Sequence, residues 1–323
     1  MRSGSATRRL TNNERQTEVH VHDGSGRKRP HRPRYRKLEH GDLMNNSRAA
    51  GTIALIILST MLAGAALRGA SAETTGATPV RSDGSSCDRA FFRVIVDVGH
   101  TVERYGVLSA RGATEYMFNL RLANQIDQRL TALGFVRTIE LLTTAAPRRG
   151  LFERAARANS LRADLFLSIH HDGVPDQFVE KWEYDGRERA FSDRFKGHSI
   201  FVSIDNGDFR GSLRFGRLLG NQLKARGLQY TSHYTERFMG NRRRQLVDAE
   251  AGVYRYDQLI VLRNTRMPAV LLEAGSIVNR EEELLLDAPE RQALIATAVT
   301  DAVEAFCAAR SPRNAVRPRR PSV

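Results

Sequence analysis

Short apolar runs, each closed by a polar residue, alternate with amphipathic stretches through the middle and later parts of the chain. FFRVIVDVGH (91–100), ADLFLSIH (163–170) and MPAVLLEAG (267–275) are rich in Val, Ile, Leu and Phe. Bounded by Gly or polar residues, they have the pattern of strands buried on both faces. The first predicts a strand over 92–98. A helix comes next, from about 114 to 133, with Phe118, Leu122, Ile126, Leu130 and Leu133 on one stripe and Gly134 as its stop. The expected order continues with strand 135–142, helix 150–161, strand 164–169, strand 199–204, helix 213–227 and two strands at 258–263 and 269–274. Asn279 and Asp287 each stand three residues before a Glu, as helix starts do. The second opens a last helix carrying Leu294, Ala298, Val299, Ala302, Val303 and Phe306 toward Cys307. Alternation of this kind predicts an α/β fold: a mostly parallel twisted sheet of about six strands with helices on both faces.

Two stretches do not fit the pattern. Residues 172–198 form a long polar connection containing Trp182, the only tryptophan, and read either as a surface insertion or as a lid or substrate-contacting loop at a site edge. Residues 229–257 include the run Arg242-Arg243-Arg244, which is either a solvated face or a contact for acidic groups of a polymer.

Charge changes the picture once it is located. The chain of 323 residues has a formal net charge of +14. Residues 1–72 carry 13 Lys/Arg against 5 Asp/Glu and residues 310–323 carry five Arg and no acid, which leaves +1 for 73–309. The basic balance belongs to the tails, so nucleic acid is not expected as a partner. Ala49 to Ala66 is an apolar run without a charge, with Ala70-Ser71-Ala72 shortly after it, the arrangement of a signal peptide cleaved before Glu73. A retained signal anchor is the other reading, and only then would a membrane be a partner. Either way the domain is expected to be exported to the periplasm or cell envelope.

The resulting layout is a basic extension at 1–48, a signal segment at 49–72, a linker at 73–91, a folded domain at 92–309 and a basic tail at 310–323. The extension cannot support a core, and Met44 would give the signal ordinary proportions. Cys87 and Cys307 flank the domain, and an even cysteine count in an exported chain suggests a disulfide. Two unpaired buried thiols are the alternative.

Four polar residues carry the candidate chemistry: His100, Glu115, His170 and Glu273. Three close apolar runs and Glu115 opens the first helix, so all four are expected at the carboxyl edge of the sheet, where open α/β folds place their sites. His, His and Glu are the ligand types of a zinc site that keeps a position for water, and an unligated carboxylate supplies the base. Taken singly, each has a plainer reading. A strand-end His is commonly just hydrogen-bonded, and Glu115 could be a first-turn carboxylate favoured by the helix dipole. Glu273, after five apolar residues, is costly to bury without a partner.

The segments VIVDVGH (94–100), ARGATEYMFNLRLANQIDQRL (110–130), FERAARANSLRADLFLSIHHD (152–172) and VLRNTRMPAVLLEAGSIVNREEELLL (261–286) resemble, in order and spacing, the zinc-dependent N-acetylmuramoyl-L-alanine amidases of the Amidase_3 type. The resemblance covers about 92–307. It implies one zinc ion held by His100, Glu115 and His170, with Glu273 as catalytic base. It also implies peptidoglycan as partner and substrate, cut between N-acetylmuramic acid and L-alanine, and leaves room for an activator protein. Val98 stands where the family has Pro, and Thr101-Val102 replace Gly-Gly, so the loop after His100 is expected to be stiffer. His171 is a rival to His170, and Glu103 to Glu115. A peptidoglycan-binding relative without catalysis and a zinc peptidase cutting within the stem peptide are the alternative functions.

Overall fold

A computed structural model describes residues 87–144 and 147–310. The basic extension with Met44, the apolar run Ala49–Ala66, the Ala70-Ser71-Ala72 site, most of the linker and the tail from 311 lie outside the described residues. In chain order the elements are β1 (Val94–Val98), α1 (Glu115–Ala132), β2 (Ile139–Leu141), α2 (Pro147–Ser160), β3 (Leu165–Asp172), β4 (Glu180–Tyr184), β5 (Arg187–Phe191) and β6 (Ser199–Val202). They continue with α3 (Phe209–Ala225), β7 (Gln245–Asp248), β8 (Val253–Arg255), α4 (Ile260–Arg263), β9 (Ala269–Ser276), α5 (Arg280–Asp287) and α6 (Pro289–Arg310).

Seven strands form one sheet in the order β2-β1-β3-β9-β6-β8-β7. The pairs β1–β2, β1–β3, β3–β9 and β6–β8 are parallel, while β6–β9 and β7–β8 are antiparallel. Successive side chains on a strand point to opposite faces, so each strand serves two cores. Val94, Val96 and Val98, Leu165, Leu167 and Ile169, and Val270 and Leu272 pack with α1, α3 and α6. Ile95, Phe166, Ala269 and Leu271 pack on the other face with residues of α2 and α4. This double burial explains why the central strands read as unbroken apolar runs.

Several elements differ from the sequence expectation. QLIVLR, predicted as a strand, forms the single helical turn α4, with Val261 and Leu262 buried and the Leu262 and Arg263 amides donating to the Leu259 carbonyl. Six apolar residues do not distinguish a strand from a buried helical turn. The 135–142 strand is reduced to Ile139–Leu141 on the sheet edge. The polar connection 172–198 contains the separate hairpin β4–β5, turned at Asp185-Gly186 with φ of 52° and 66°. Positive φ at both central residues makes this the two-residue turn that Asp-Gly favours. The hairpin is docked: Trp182 Nε1 donates to the Ala110 carbonyl at 3.0 Å, and Arg111 and Arg280 lie over its aromatic rings.

Cys87 and Cys307 form a disulfide across a sequence separation of 220, with Cα atoms 5.1 Å apart. Closing so long a loop in the unfolded chain contributes about 4–5 kcal/mol in the chain-entropy picture. Reduction, or Cys87→Ser with Cys307→Ser, is therefore expected to lower the melting temperature of the domain by roughly 10–20 °C. Unchanged melting with and without reductant would remove that contribution.

Candidate active site

β1, β3 and β9 run parallel, so their carboxyl ends open on one edge, and the register brings the residues at those ends side by side. Val98 pairs with Ile169, and His170 with Glu273. His100 stands two residues beyond β1, on a backbone with φ of 69°. Arg154 of α2 holds that turn. Its guanidinium donates to the carbonyls of Val98 and His100 and to Asp97 Oδ1 at 2.6 Å, while Ser168 Oγ donates to Asp97 Oδ2 at 2.7 Å. Arg154 and Asp97 are both buried, and a buried pair with every partner in place fixes geometry more than it adds stability.

The His100, Glu115 and His170 side chains meet. His100 Nε2 and His170 Nδ1 each lie 3.0 Å from Glu115 Oε1. One ligand atom from each residue falls within 4.8 Å of the others, a cluster that could hold a metal ion. Glu115 reaches it from the first position of α1. Burial alone would raise its carboxyl pKa, but the charge and hydrogen bonds of His100 and His170 outweigh this and hold it far below the ordinary range. Burial lowers the His170 pKa against its hydrogen bond to Glu115. His100 is raised, because Glu115 overcomes the effect of burial.

Alternation along β3 separates the two neighbouring histidines. His171 points to the α1 side, where its Nδ1 lies 2.8 Å from Asn119 Oδ1 and its ring packs on Phe118. Burial depresses its pKa to about 3. Asn119 in turn donates to Glu115 Oε1 at 3.3 Å and to the Gly99 carbonyl at 3.2 Å. Glu103 is exposed on the loop and is not among the clustered residues.

The loop after His100 closes without the two glycines. Thr101 is buried, its Oγ1 accepts from the Arg104 amide and its own amide donates to the Arg104 carbonyl, both at 3.0 Å. The glycine requirement moves to Gly106, with φ of 79°, where a Cβ would strike the Glu115 carboxylate. Gly99 matters for space instead, since a Cβ there would overlap the His170 ring. Gly99→Ala is expected to displace that ring and cost about 1–3 kcal/mol. Thermal unfolding and the His170 ring resonances check this, and wild-type values for both would contradict it.

Glu273 is half-buried, yet its Oε2 is wholly inaccessible and has no hydrogen-bond partner among the described residues. Burial, with Asp172 and Glu115 nearby, raises its pKa well above the usual glutamate value. Asp172, the next residue of β3 on this side, accepts from the Tyr234 hydroxyl at 2.6 Å and is likewise raised by burial. A cavity of about 180 Å³ opens beside the cluster between His100, Arg104, Leu151 and Val261.

No pattern in the sequence singles out Arg154, Asn119, Asp172 or Tyr234 as members of the site. Asp97 alone gives a clear signal there, as a charge inside VIVDV.

Comparison with known proteins identifies the family. The family model Amidase_3, described as N-acetylmuramoyl-L-alanine amidase, matches residues 94–305. The chain is 24% identical over 203 residues to the N-acetylmuramoyl-L-alanine amidase Rv3717 of Mycobacterium tuberculosis, covering 63% of this chain and 73% of the relative. It is 24% identical over 248 residues to the N-acetylmuramoyl-L-alanine amidase AmiA of Escherichia coli, covering 66% and 75%. Among solved structures, the amidase Ami1 from Mycobacterium smegmatis shares the fold, with a TM-score of 0.52, 22% identity and coverage of 68% of this chain and 97% of that one. With a family match across well over half of its length, the chain belongs to the Amidase_3 family of N-acetylmuramoyl-L-alanine amidases.

Proposed function

We propose that the protein cleaves the amide between the lactyl group of N-acetylmuramic acid and L-alanine in peptidoglycan, with one zinc held by His100, Glu115 and His170 and with Glu273 as proton carrier. One observation carries this reading: two imidazoles and an ionised carboxylate within 4.8 Å, next to a strand-end carboxylate whose Oε2 is buried and unpartnered. The donor set suits zinc, which accepts neutral imidazole and carboxylate ligands. Bound zinc supplies Lewis acidity, bringing the pKa of water to about 7 and polarising a carbonyl.

The remaining work falls to side chains. Asn119 holds the Glu115 carboxylate, and Arg154 holds the turn bearing His100. Glu273, in register with His170, takes the proton of the attacking water and delivers it to the leaving nitrogen. Its pKa, raised by burial, favours the protonated form needed for delivery.

Export to the envelope, for wall remodelling or daughter-cell separation, is part of the same proposal. The disulfide and the apolar segment Ala49–Ala66 support it. Digestion of purified sacculi is expected to release intact stem peptides beginning at L-alanine, leaving peptide-free glycan. Mass spectrometry separates the outcomes: fragments cut within the stem would mean a peptidase, and binding without products would mean a non-catalytic relative.

A further inference from the structure

We infer that Arg242 recognises a free carboxylate on the peptide side of the scissile amide, so that acidic stem peptides bind in preference to amidated ones. This rests on the amidase reading for its substrate.

The run Arg242-Arg243-Arg244 is not one uniform basic face. Arg243 Nε donates to the Thr235 carbonyl at 2.7 Å. The Arg244 guanidinium donates to the carbonyls of Asn241 and Arg243 and lies 3.6 Å from the centre of the Tyr256 ring. Both are committed to holding the loop. Arg242 is exposed and makes no hydrogen bond or ion pair among the described residues. Its five guanidinium donors are available in the planar fork that matches a carboxylate.

The loop that bears Arg242 is tied to the strand ends of the active site through Tyr234. Arg242 ends the 3-10 segment Arg237–Arg242, and two residues later the Arg244 amide donates to the Tyr234 carbonyl at 2.7 Å. The Tyr234 hydroxyl donates to Asp172 on β3, beside the end of β9 that bears Glu273. Consistent with this placement, the Arg242 charge is felt by Asp172, Tyr234, Glu273 and His233 alike. Arg242 bonds none of these groups, so its donors are not consumed in neutralising them.

The direction of the chemistry then selects the ligand. Glu273 protonates the leaving nitrogen, so the departing peptide lies on its side of the site and the glycan lies away from it. The first anionic group of that peptide is the carboxylate of the acidic residue after L-alanine. A bidentate guanidinium contact to it is charge-assisted and specific, and an amide cannot reproduce it.

The test is a titration of the full chain with the tripeptide L-Ala-γ-D-Glu-diaminopimelate and with the same peptide amidated at the D-Glu α-carboxyl. Wild type is expected to bind the free acid about 10–100-fold more tightly, the range of a hydrogen bond to a charged group. Arg242→Gln should abolish the difference by weakening the acid alone, and Arg243→Gln should leave it intact. On muropeptides Arg242→Gln should raise KM with little change in kcat. Equal affinities in wild type, or a preference that survives Arg242→Gln, would overturn the inference. Sacculus digestion reports separately on the amidase reading, because peptide binding requires no turnover.

Discussion

Glu273→Gln is expected to fold, to keep a full complement of zinc, and to lose amidase turnover by about 10²–10⁴-fold, the loss typical of removing a general acid–base group. The substitution is nearly isosteric and leaves the three clustered ligand atoms untouched. It removes only the ability to accept and return a proton. The raised pKa gives a second measurement. In the metal-free protein Glu273 is harder to ionise when folded than when unfolded, so its contribution to stability is greatest below the ordinary glutamate pKa. That contribution declines as pH rises toward the folded-state value. Metal-free Glu273→Gln should therefore gain stability over wild type as pH increases. Near-normal turnover in the variant would exclude Glu273 as proton carrier, whatever the stability curves show.

His100→Ala and His170→Ala should each strip the metal and abolish activity, whereas His171→Ala should retain both. Loss of a partner that merely orients a ligand typically costs 10–100-fold in metal affinity, and loss of a ligand itself exceeds that. His171 faces α1 and bonds Asn119, so its removal should cost stability, about 1–3 kcal/mol for the unsatisfied partner, while most of the metal remains. Zinc content after dialysis decides the matter. Full zinc in both of the first two variants would reject the assignment. Loss from His171→Ala alone would mean that the neighbouring imidazole is the ligand.

Much of this site is legible in the sequence because it rests on strand ends. VIVDVGH, LFLSIH and AVLLEAG announce buried parallel strands by composition, and parallel strands share one carboxyl edge, so their end residues are bound to converge. Choosing between His170 and His171 needs the pleat: two adjacent imidazoles cannot face the same side, and burial of Leu167 and Ile169 against α1 fixes which one does.

The supporting residues are hidden for a different reason. Arg154 and Asp97 meet across 57 positions of sequence, and Tyr234 and Asp172 across 62, and no local pattern encodes such a meeting. QLIVLR misleads because its burial is helical and only one turn long. The Asp185-Gly186 turn is readable from the sequence, but the strands on either side are largely exposed and carry little apolar signal. Of the three consecutive arginines, composition does not tell which one is free, since the commitment of Arg243 and Arg244 to backbone carbonyls arises only in the folded loop.

The bridge between Cys87 and Cys307 also has a mechanical meaning. Their Cα atoms are 5.1 Å apart, one just ahead of β1 and the other near the end of α6. Tension applied through the segments on either side of the domain meets at this covalent link and passes from one to the other without loading the sheet. β1, which carries His100 at its far end, is thus shielded from being peeled off its neighbours. A domain tied at its ends in this way keeps the shape of its catalytic edge when the chain is pulled from both sides.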